Sequence, residues 1–575
     1  MTAEIRLIFM QIKQRQFNEK IVSELILQGV NPLLARLYAA RGVVSKSELE
    51  TSLAQIIPPE QLTNSDEMAK LLADAIATNK KILVIGDYDA DGATATAVAV
   101  KGLRSMGAQV DFLVPNRFEY GYGLTPEIVA LASTLKPDIL ITVDNGIASV
   151  DGVAAANLLG LQVLVTDHHL PADTTPAAAC IVNPNQHGCT FKSKNLAGVG
   201  VMFYVLLALR AELRRRGAFA KKTQHSLAEP NLTELLDLVA LGTVADLVKL
   251  DANNRILVEQ GLRRIRAGAG CAGITALLKI AWKSPEKVTA QDFGFAVGPR
   301  LNAAGRLDDM RLGIACLLAE TDADALQKAQ TLHELNMERR NIEADMQDSA
   351  LITLENIDVS DNFSLSIVNA AYHQGVIGIL ASRLKDKYHR PTIVFADAGD
   401  AIIKGSGRSI ANFHLRDALD LVTKRHPDLI IKFGGHAMAA GLSIKQGDFA
   451  QFQSAFEAVA RELLTEADLQ AVIETDGSLS TNEMSLQTAQ ILASQVWGQG
   501  FATPLFYDEF KVINQRIVGE KHLKLILEKD QKRFDAIYFN CTEINSNNVN
   551  AVYALDVNEY KGLRTLQLQI RYVEN

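Results

Sequence analysis

Cysteine is scarce in this sequence of 575 residues, and no Cys-x-x-Cys pair occurs. An odd number of scattered thiols argues against a disulfide framework and a zinc ribbon, and it is typical of reduced cysteines in a cytoplasm. The five cysteines are Cys180, Cys189, Cys271, Cys316 and Cys541.

Long apolar runs are also missing. No stretch approaches the roughly 18 residues that cross a membrane as a helix. The N-terminal segment has a glutamate at position 4, and its apolar core covers only residues 7–10, which is too short for a signal peptide. These features predict a cytoplasmic protein.

Positive charge is in slight deficit, with 58 Lys and Arg against 66 Asp and Glu and a formal net charge of −8. This balance excludes a histone-like protein that coats nucleic acid through bulk charge. It does not exclude a nucleic-acid enzyme, because net charge says nothing about where the charges lie.

Short apolar runs alternate with helical stretches over residues 81–166, a pattern typical of βαβ units around a parallel sheet. Residues 322–356 contain neither Gly nor Pro and carry an apolar stripe, which predicts one long helix. A second αβ region covers about 363–464. The last hundred residues alternate with a period of two, which indicates an antiparallel barrel.

The predicted fold class is therefore α/β, with two α/β domains joined by a long helix and followed by a small β-barrel. The predicted segments are an N-terminal helical extension (1–70), a parallel-sheet domain (71–320), a connector helix (321–357), a second α/β domain (358–465) and the barrel (466–575).

Three aspartates alternate directly after the first predicted strand, in the string GDYDADG at residues 86–92. A helix-capping role would explain one of Asp87, Asp89 and Asp91. Three like charges so close together repel one another unless a cation lies between them.

Two further predicted strands end in polar side chains. Asp144 follows the third strand, and Asp167, His168 and His169 follow the fourth. Ligands bind beyond the carboxyl ends of parallel strands, so these residues and the first three aspartates are expected to form one cluster. Asp246 lies in an apolar helical stretch, where either a local arginine or backbone group, or a metal ion, would offset its burial.

Carboxylates mixed with imidazoles suit Mn²⁺ or Mg²⁺, and the imidazoles favour Mn²⁺. The absence of a nearby cysteine disfavours structural zinc. Several carboxylates around one cleft predict two ions, an arrangement that hydrolyses phosphate esters. The sequence has no Gly-x-x-x-x-Gly-Lys-Ser/Thr run, which disfavours a P-loop nucleotidase.

The order of these strings resembles the DHH phosphoesterase superfamily, and in particular its RecJ branch of single-strand-specific 5′→3′ DNA exonucleases. The likeness covers about residues 80–575 and implies a DHH domain, a DHHA1 domain and an OB-like barrel. The strings that carry it are GDYDADG (86–92), VDNGI (143–147), DHH (167–169), GTVADLV (242–248), GPRLNAAGRL (298–307), HQGVIGI (373–379), SGRS (406–409) and GGHA (434–437).

The resemblance implies a role for each member of the cluster. Asp144 would bridge two metal ions, His169 would contact the scissile phosphate and Asp167 would orient a histidine. The superfamily usually has a histidine at the position of Ile85, and Asp87 would substitute for it. The implied metal ligands are Asp89, Asp91, Asp144, His168, Asp246 and Asp87.

The resemblance also implies contacts with the DNA backbone. Arg117, Ser406 and Arg408 would form a pocket for the 5′ phosphate, although Arg117 could instead be a surface residue paired with Glu119. Phosphate contacts of this kind position a strand without reading its sequence. Further backbone contacts would come from Arg306, Gly435 and His436, and barrel contacts from Phe501, Arg516, Lys521 and Lys524.

The expected function is thus a 5′→3′ exonuclease that uses Mn²⁺ or Mg²⁺ and releases 5′-mononucleotides from single-stranded DNA in recombination and repair, including mismatch repair. The resemblance further implies a monomer that meets a single-strand-binding protein and a helicase. One alternative is an enzyme of the same superfamily that cleaves pyrophosphate, cyclic dinucleotides or short RNA. The other is a scaffold without activity, which the complete set of aspartates and histidines disfavours.

Overall fold

The computed structural model describes residues 10–116, 120, 123–220, 227–355, 361–560 and 562–574. The chain divides into two compact units. The larger comprises Gln14–Leu335 and Thr475–Asn575, and the smaller comprises Asn336–Glu474 and Met1–Lys13. Over the part of the chain that is described, no helix combines the length and the apolar character needed to cross a membrane.

The first described element is a strand, β1 (Gln11–Gln14), which forms a two-stranded sheet with β12 (Val472–Thr475). The sequence predicted only helices and loops at this end. The strand was missed because a four-residue polar run has no apolar periodicity, and its pairing comes from a segment more than 450 residues away.

A five-stranded parallel sheet forms the centre of the larger unit. Its strands are β2 (Lys81–Gly86), β3 (Gln109–Leu113), β4 (Ile139–Val143), β5 (Gln162–Thr166) and β6 (Cys180–Val182). They lie in the order β3-β2-β4-β5-β6, and each neighbouring pair is parallel. Every residue of β4 is buried, as expected for a parallel strand covered on both faces.

The predicted parallel sheet is confirmed, and the three-residue strand β6 is an addition. Helices cover both faces of the sheet and bury one apolar cluster on each face, the larger of which extends beyond the sheet. The helices of this unit are Glu19–Leu27, Pro32–Ala39, Ser65–Ala77, Ala90–Ser105, Pro126–Ser133, Val150–Leu158, Gly198–Arg215, Leu236–Ala245, Ala252–Arg266, Ala272–Ile280, Ala290–Asp292, Gly298–Leu307, Arg311–Leu318 and Leu486–Ala493, with a π-helical segment at Phe293–Val297.

A closed five-stranded barrel ends the larger unit, as predicted. Its strands are β13 (Phe506–Val518), β14 (His522–Lys529), β15 (Lys532–Tyr538), β16 (Asn548–Tyr560) and β17 (Leu563–Glu574). They follow the order β13-β14-β15-β17-β16, and closure leaves no open sheet edge. The neighbouring strands are antiparallel as expected, except for β15 and β17, which are parallel. Phe506, Phe510 and Tyr553 fill the interior.

The long helix runs from Asp322 to Glu355 over 34 residues, which confirms the helix predicted from the absence of Gly and Pro. Its first part belongs to the larger unit and its second part to the smaller. The domain boundaries proposed from the sequence remain a prediction.

The smaller unit is the second α/β region. Its strands are β7 (Leu365–Val368), β8 (Thr392–Asp397), β9 (Ile402–Arg408), β10 (Lys432–Gly435) and β11 (Ala439–Lys445), in the order β10-β11-β9-β8-β7. Its helices Ile377–Tyr388, Leu415–Arg425 and Phe449–Leu463 pack on this sheet. Stacked and edge-on phenylalanines, Phe395, Phe452 and Phe456, lie in the core.

Candidate metal centre

Three adjacent parallel strands end at the same edge of the larger sheet. Asp87 directly follows β2, Asp144 follows β4 and Asp167 follows β5. The order β2-β4-β5 makes these strand ends neighbours. The cluster expected from the sequence therefore forms at the edge where parallel sheets bind ligands.

Asp89 and Asp91 lie at the start of the helix that follows β2. Asp89 is the N-cap residue of the helix Ala90–Ser105, and its Oδ1 accepts a hydrogen bond of 2.9 Å from the Gly92 N–H. Asp91 is fully buried, and its two carboxylate oxygens accept from the Gly198 and Val199 N–H groups at 2.6 and 2.9 Å. The positive end of the helix Gly198–Arg215 thus orients this carboxylate.

Asp144 lies in a strained backbone conformation with φ +63°, which is uncommon for a residue other than glycine. A Cβ atom at Gly198 would lie 2.5 Å from the Asp144 Cβ, so a glycine is required where the helix meets this aspartate. Backbone strain of this kind is concentrated at functional sites, where surrounding structure compensates for it.

The two histidines face different partners. The His168 Nε2 atom lies 3.1 Å from Asp144 Oδ1 and 3.5 Å from Asp246 Oδ2. The His169 Nδ1 atom lies 2.8 Å from Asp167 Oδ1. Asp167 Oδ1 also accepts from the backbone N–H groups of both histidines, and Oδ2 accepts from the Ile147 N–H. Asp167 therefore contacts both the ring and the backbone of His169, and the orienting role expected for Asp167 remains a prediction.

The side chains form three overlapping groups whose nitrogen or carboxylate oxygen atoms lie within 4.8 Å of one another. Asp144 belongs to two of the groups, and so does His168. The groups are Asp144 with His168 and His169, Asp91 with His168 and Asp246, and Asp87 with Asp89 and Asp144. Each of these groups could hold a cation, and the shared residues bring the groups close together.

Burial makes these carboxylates hard to ionise. Burial first, and then the Asp89 charge, raise the pKa of Asp91 to about 7. The pKa values of Asp144 and Asp246 are raised well above the usual range by burial and by neighbouring carboxylates. Cations offset such repulsion, and an oxygen-rich set with imidazole fits Mn²⁺ or Mg²⁺.

The Asp167–His169 pair has the opposite electrostatics. Burial alone would lower the pKa of His169, but the hydrogen bond and charge of Asp167 raise it to about 9. Burial likewise opposes ionisation of Asp167, yet the His169 hydrogen bond and charge lower the pKa of this carboxyl group. The two residues therefore stabilise each other as an ion pair.

Two asparagines support the centre although the sequence did not single them out. The Asn302 Oδ1 atom accepts a hydrogen bond of 2.8 Å from the Ala90 N–H. The Asn145 Nδ2 atom donates to the Ile85 and Val143 carbonyl oxygens at 3.1 and 2.9 Å, which joins the ends of β2 and β4. Asn145 lies in the string VDNGI and Asn302 in GPRLNAAGRL, but a hydrogen bond from a side chain to the backbone leaves no pattern in the sequence.

The segment that carries Arg306 packs tightly against residues 87–91, which we name the aspartate loop. A Cβ atom at Gly305 would lie 1.9 Å from the Tyr88 carbonyl oxygen, so only glycine permits this approach. Arg306 follows in the last turn of the helix Gly298–Leu307. Arg117, the other arginine expected in the larger unit, lies outside the described residues.

In the smaller unit, Ser406 and Arg408 share one face of β9. The Arg408 Nη1 atom donates to the Ser406 Oγ at 3.2 Å. A Cβ atom at Gly378 would lie 2.9 Å from Ser406 Oγ and 3.0 Å from an Arg408 nitrogen, at the start of the helix Ile377–Tyr388. An arginine, a hydroxyl and a helix N-terminus together favour an anion.

Gly435 and His436 lie at the turn between β10 and β11 in the same unit. Gly435 has φ +147° and pairs with Ala440, which in turn pairs with Gly407 of β9. The His436 N–H donates to the Ala439 carbonyl oxygen at 2.8 Å. This register brings the turn to the end of β9 that carries Ser406 and Arg408.

The expectation that Phe501 contacts DNA is wrong for this structure. Phe501 is only 3% exposed and stacks on Trp497 and Tyr38, with the Arg255 guanidinium 4.2 Å from its ring centroid. It is a core residue with no free face for a base. The sequence pattern could not distinguish an aromatic side chain in the core from one in a groove.

The three basic barrel residues lie on or near two strands. Arg516 of β13 and Lys524 of β14 are directly opposite each other. Lys524 forms an ion pair with Asp535, and Arg516 and Lys521 are exposed. Their contact with DNA remains a prediction.

Three domain families match the sequence in chain order. The DHH family N-terminal domain matches residues 81–243, the DHHA1 domain matches 361–462 and the RecJ OB domain matches 475–572. The first match contains every aspartate and histidine of the expected cluster except Asp246, which lies three residues beyond it.

The chain is similar over its length to two bacterial proteins, each called single-stranded-DNA-specific exonuclease RecJ. It is 50% identical to the protein from Salmonella typhimurium over 97% of this chain and 99% of that protein. It is 50% identical to the protein from Escherichia coli strain K12 over 94% of this chain and 95% of that protein.

A solved structure gives a similar result. The crystal structure of RecJ in complex with Mn²⁺ from Thermus thermophilus matches with a TM-score of 0.81 and 28% identity. The match covers 98% of this chain and 80% of that chain. A second structure of the same protein, in complex with Mg²⁺, matches with a TM-score of 0.76.

Proposed function

The chain belongs to the RecJ family of single-stranded-DNA-specific exonucleases, and from this we propose that it is a metal-dependent 5′→3′ exonuclease that degrades single-stranded DNA to 5′-mononucleotides. The cofactors would be two divalent ions, Mn²⁺ or Mg²⁺, with Mn²⁺ preferred. The overlap of three donor groups at Asp144 and His168 is the observation that carries the proposal.

When bound, two such ions would activate a water molecule and neutralise charge on the phosphate. We assign metal ligation to Asp144 as the bridging residue, together with Asp87, Asp89, Asp91, His168 and Asp246. The raised pKa values of the buried carboxyl groups support this assignment, because a cation removes the repulsion that raises them.

His169 would contact the scissile phosphate. Asp167 holds its Nδ1 edge at 2.8 Å, which directs the Nε2 edge away from Asp167. A fixed imidazole donor aimed at a phosphoryl oxygen stabilises charge that develops during hydrolysis. In this assignment Asp167 acts only through His169.

The 5′ polarity would come from a phosphate pocket built by Ser406 and Arg408, with Arg117 as a third member. The close approach of Gly378 to Ser406 and Arg408 supports this role, because the positive end of the helix Ile377–Tyr388 then lies beside the Arg408 guanidinium. A bound terminal phosphate would stop the strand from sliding past the metal centre. Arg306, Gly435 and His436 would hold the DNA backbone near the metal ions.

A digestion time course tests the proposal. A single strand labelled at its 5′ end should release labelled mononucleotide at once, whereas the same strand labelled at its 3′ end should first shorten. Both reactions should need Mn²⁺ or Mg²⁺ and stop with a chelator. Early release of a 3′ label, or faster cleavage of pyrophosphate or a dinucleotide than of the long strand, would contradict the proposal.

In the cell, we propose a role in DNA recombination and repair in the cytoplasm, with a single-strand-binding protein and a helicase as partners. The enzyme would act as a monomer. Sedimentation of the purified chain tests the oligomeric state, and activity on strands coated with single-strand-binding protein tests the first partnership.

A further inference from the structure

Three large apolar side chains next to the metal centre are exposed. Leu170 directly follows His169 and is 63% exposed, Leu247 directly follows Asp246 and is 67% exposed, and Phe295 is 84% exposed. We name Leu170, Leu247 and Phe295 the apolar rim. Single exposed apolar residues are common on proteins, but several beside a polar site indicate a binding surface.

Packing places the segment that carries Phe295 close to Asp246. This π-helical segment, Phe293–Val297, lies against the last turn of the helix Leu236–Ala245, whose C-cap residue is Asp246. A Cβ atom at Gly294 would lie 3.7 Å from Val244 Cγ1, and one at Gly298 would lie 3.3 Å from Ala245 Cβ. The contacts on both sides of Phe295 are therefore made with residues just before Asp246.

The neighbours of Phe295 keep its ring outside. Phe293, Ala296 and Val297 are buried, so the segment cannot rotate to bury Phe295 without exposing them. Short π-helical segments occur frequently at functional sites. The exposure of Phe295 is thus built into the packing of this segment.

Leu247 is held in an unusual conformation. Its φ of +62° lies in the left-handed region, where a side chain larger than that of Asn or Asp is uncommon. A strained and exposed leucine next to a metal-centre residue has no role in the core, and strain persists where function requires it.

We propose that the apolar rim binds the nucleobases of the single strand next to the phosphate held at the metal centre, with Phe295 as the stacking residue. This inference rests on the proposed function. Leu170 and Leu247 each directly follow a residue of the centre that would hold the phosphate, and the segment of Phe295 packs on residues 244 and 245. The base is the apolar part of a nucleotide. Stacking on an aromatic ring accepts any base, which suits an exonuclease that does not read sequence.

The proposal also gives a reason for single-strand specificity at this surface. A base in a duplex is stacked between its neighbours and paired, so it cannot present its face to Phe295. A strand must be unpaired over the nucleotides that meet the rim.

Fluorescence anisotropy with abasic strands tests this subsite. A labelled single strand would be titrated with Ca²⁺ in place of Mn²⁺, and one abasic nucleotide would be moved through the first six positions from the 5′ end. With the unchanged protein, we expect one position at which the abasic change weakens binding about tenfold. With Phe295→Ala, the intact strand should bind about tenfold more weakly, and the abasic change at that position should have no further effect.

Two other variants complete the design. Leu247→Asn should raise the unfolding midpoint, since Asn tolerates positive φ, yet weaken DNA binding severalfold. The matched control is Leu158→Ala, which changes an 89% exposed leucine at the end of the helix Val150–Leu158, just before the opposite end of β5. It should leave binding unchanged.

The outcomes separate this inference from the proposed function. Equal abasic penalties in Phe295→Ala and in the unchanged protein at all six positions would overturn the subsite. The absence of strand degradation with Mn²⁺ would overturn the proposed function instead, whereas the anisotropy cycle would still decide whether the rim binds bases.

Discussion

The larger unit contains two sets of buried aspartates with opposite surroundings. At the sheet edge, the strongest influences on Asp144 and Asp246 are burial and the charges of other carboxylates. Near the barrel, Asp476 and Asp508 are buried like Asp144, but each is held by a cation. Asp144, Asp476 and Asp508 all lie out of water, so burial alone does not mark a functional aspartate.

Asp476 is satisfied within the chain. The Arg41 guanidinium binds its two oxygens at 2.8 and 2.9 Å, Arg15 lies 3.3 Å away, and the Leu505 N–H donates at 3.1 Å. Asp508 is similarly surrounded, by Lys529, Ser478, Tyr553 and the Leu479 N–H.

The surroundings of a buried aspartate, rather than its burial, indicate its role. Where the chain supplies the cation, the aspartate stabilises the fold. Where like charges accumulate instead, a cation from solution would relieve their repulsion. Substitutions in the two sets should therefore have opposite effects on hydrolysis and on stability.

Asp144→Asn should lower the rate of DNA hydrolysis about a thousandfold or more, because the bridging ligand is lost. In a chelator, the variant should unfold at the same temperature as the unchanged protein or higher, since one of several repelling carboxylates is removed. Initial rates with a labelled strand and thermal melts measure the two effects. Near-normal hydrolysis would remove Asp144 from the metal centre.

Asp476→Asn should have the reverse profile. It leaves Arg41 buried without its charged partner, which destabilises the larger unit by about 3–5 kcal/mol. Urea unfolding followed by tryptophan fluorescence measures this loss, because Trp497 lies 5.0 Å from the Arg41 guanidinium. Activity per folded molecule should stay within about twofold of the unchanged protein. A loss of hydrolysis without a loss of stability would contradict the purely structural role of Asp476.

Asn302→Ala should weaken Mn²⁺ binding about 10- to 100-fold, because the residue fixes the backbone of the aspartate loop without being a ligand. The activity measured as a function of Mn²⁺ concentration should shift accordingly, and high Mn²⁺ should restore most of the rate. Asn231→Ala is the matched control, since Asn231 caps a 3₁₀ turn by accepting from the Thr233 N–H. An equal shift of the Mn²⁺ dependence in both variants would mean that Asn302 only stabilises the fold.

Metal removal should change how stability depends on pH. The pKa of Asp91 in the folded protein is about 7, above its ordinary value of 3.8. The contribution of Asp91 to the free energy of unfolding is therefore complete below about pH 4 and is lost as the pH rises through 7. At pH 8, Mn²⁺ should therefore raise the unfolding midpoint by about 5 °C over a chelator. Asp476→Asn should keep this Mn²⁺-dependent rise in the unfolding midpoint, and Asp144→Asn should lose most of it. A full rise in both variants would mean that the ion binds elsewhere.

Much of the fold follows from patterns between neighbouring residues. The apolar runs of β2, β4 and β5 and the uninterrupted helix Asp322–Glu355 are visible because burial and helical periodicity repeat over a few residues. The short strand β6 and the polar strand β1 were missed for the same reason, since three or four residues carry no period.

The candidate site could be predicted to a similar extent. The carboxyl ends of parallel strands meet at one edge, so the strand-end positions of Asp87, Asp144 and Asp167 were enough to bring them together. The sequence had no signal for Asn302 or for the exposure of Phe295. Both depend on how the segment 293–307 packs against the aspartate loop and the end of a distant helix.

The alternation of strands and helices follows from the sequence, and so do the acidic and imidazole chemistry of the strand ends and their convergence. These features depend on neighbouring residues and on the geometry of parallel sheets. The cations that hold Asp476 and Asp508 follow instead from the packing of distant segments. Arg41 and Asp476 are 435 residues apart, and their pairing is set by the packing of segments that no local pattern connects. The same packing buried Phe501 and exposed Phe295, although both are phenylalanines that directly follow a glycine.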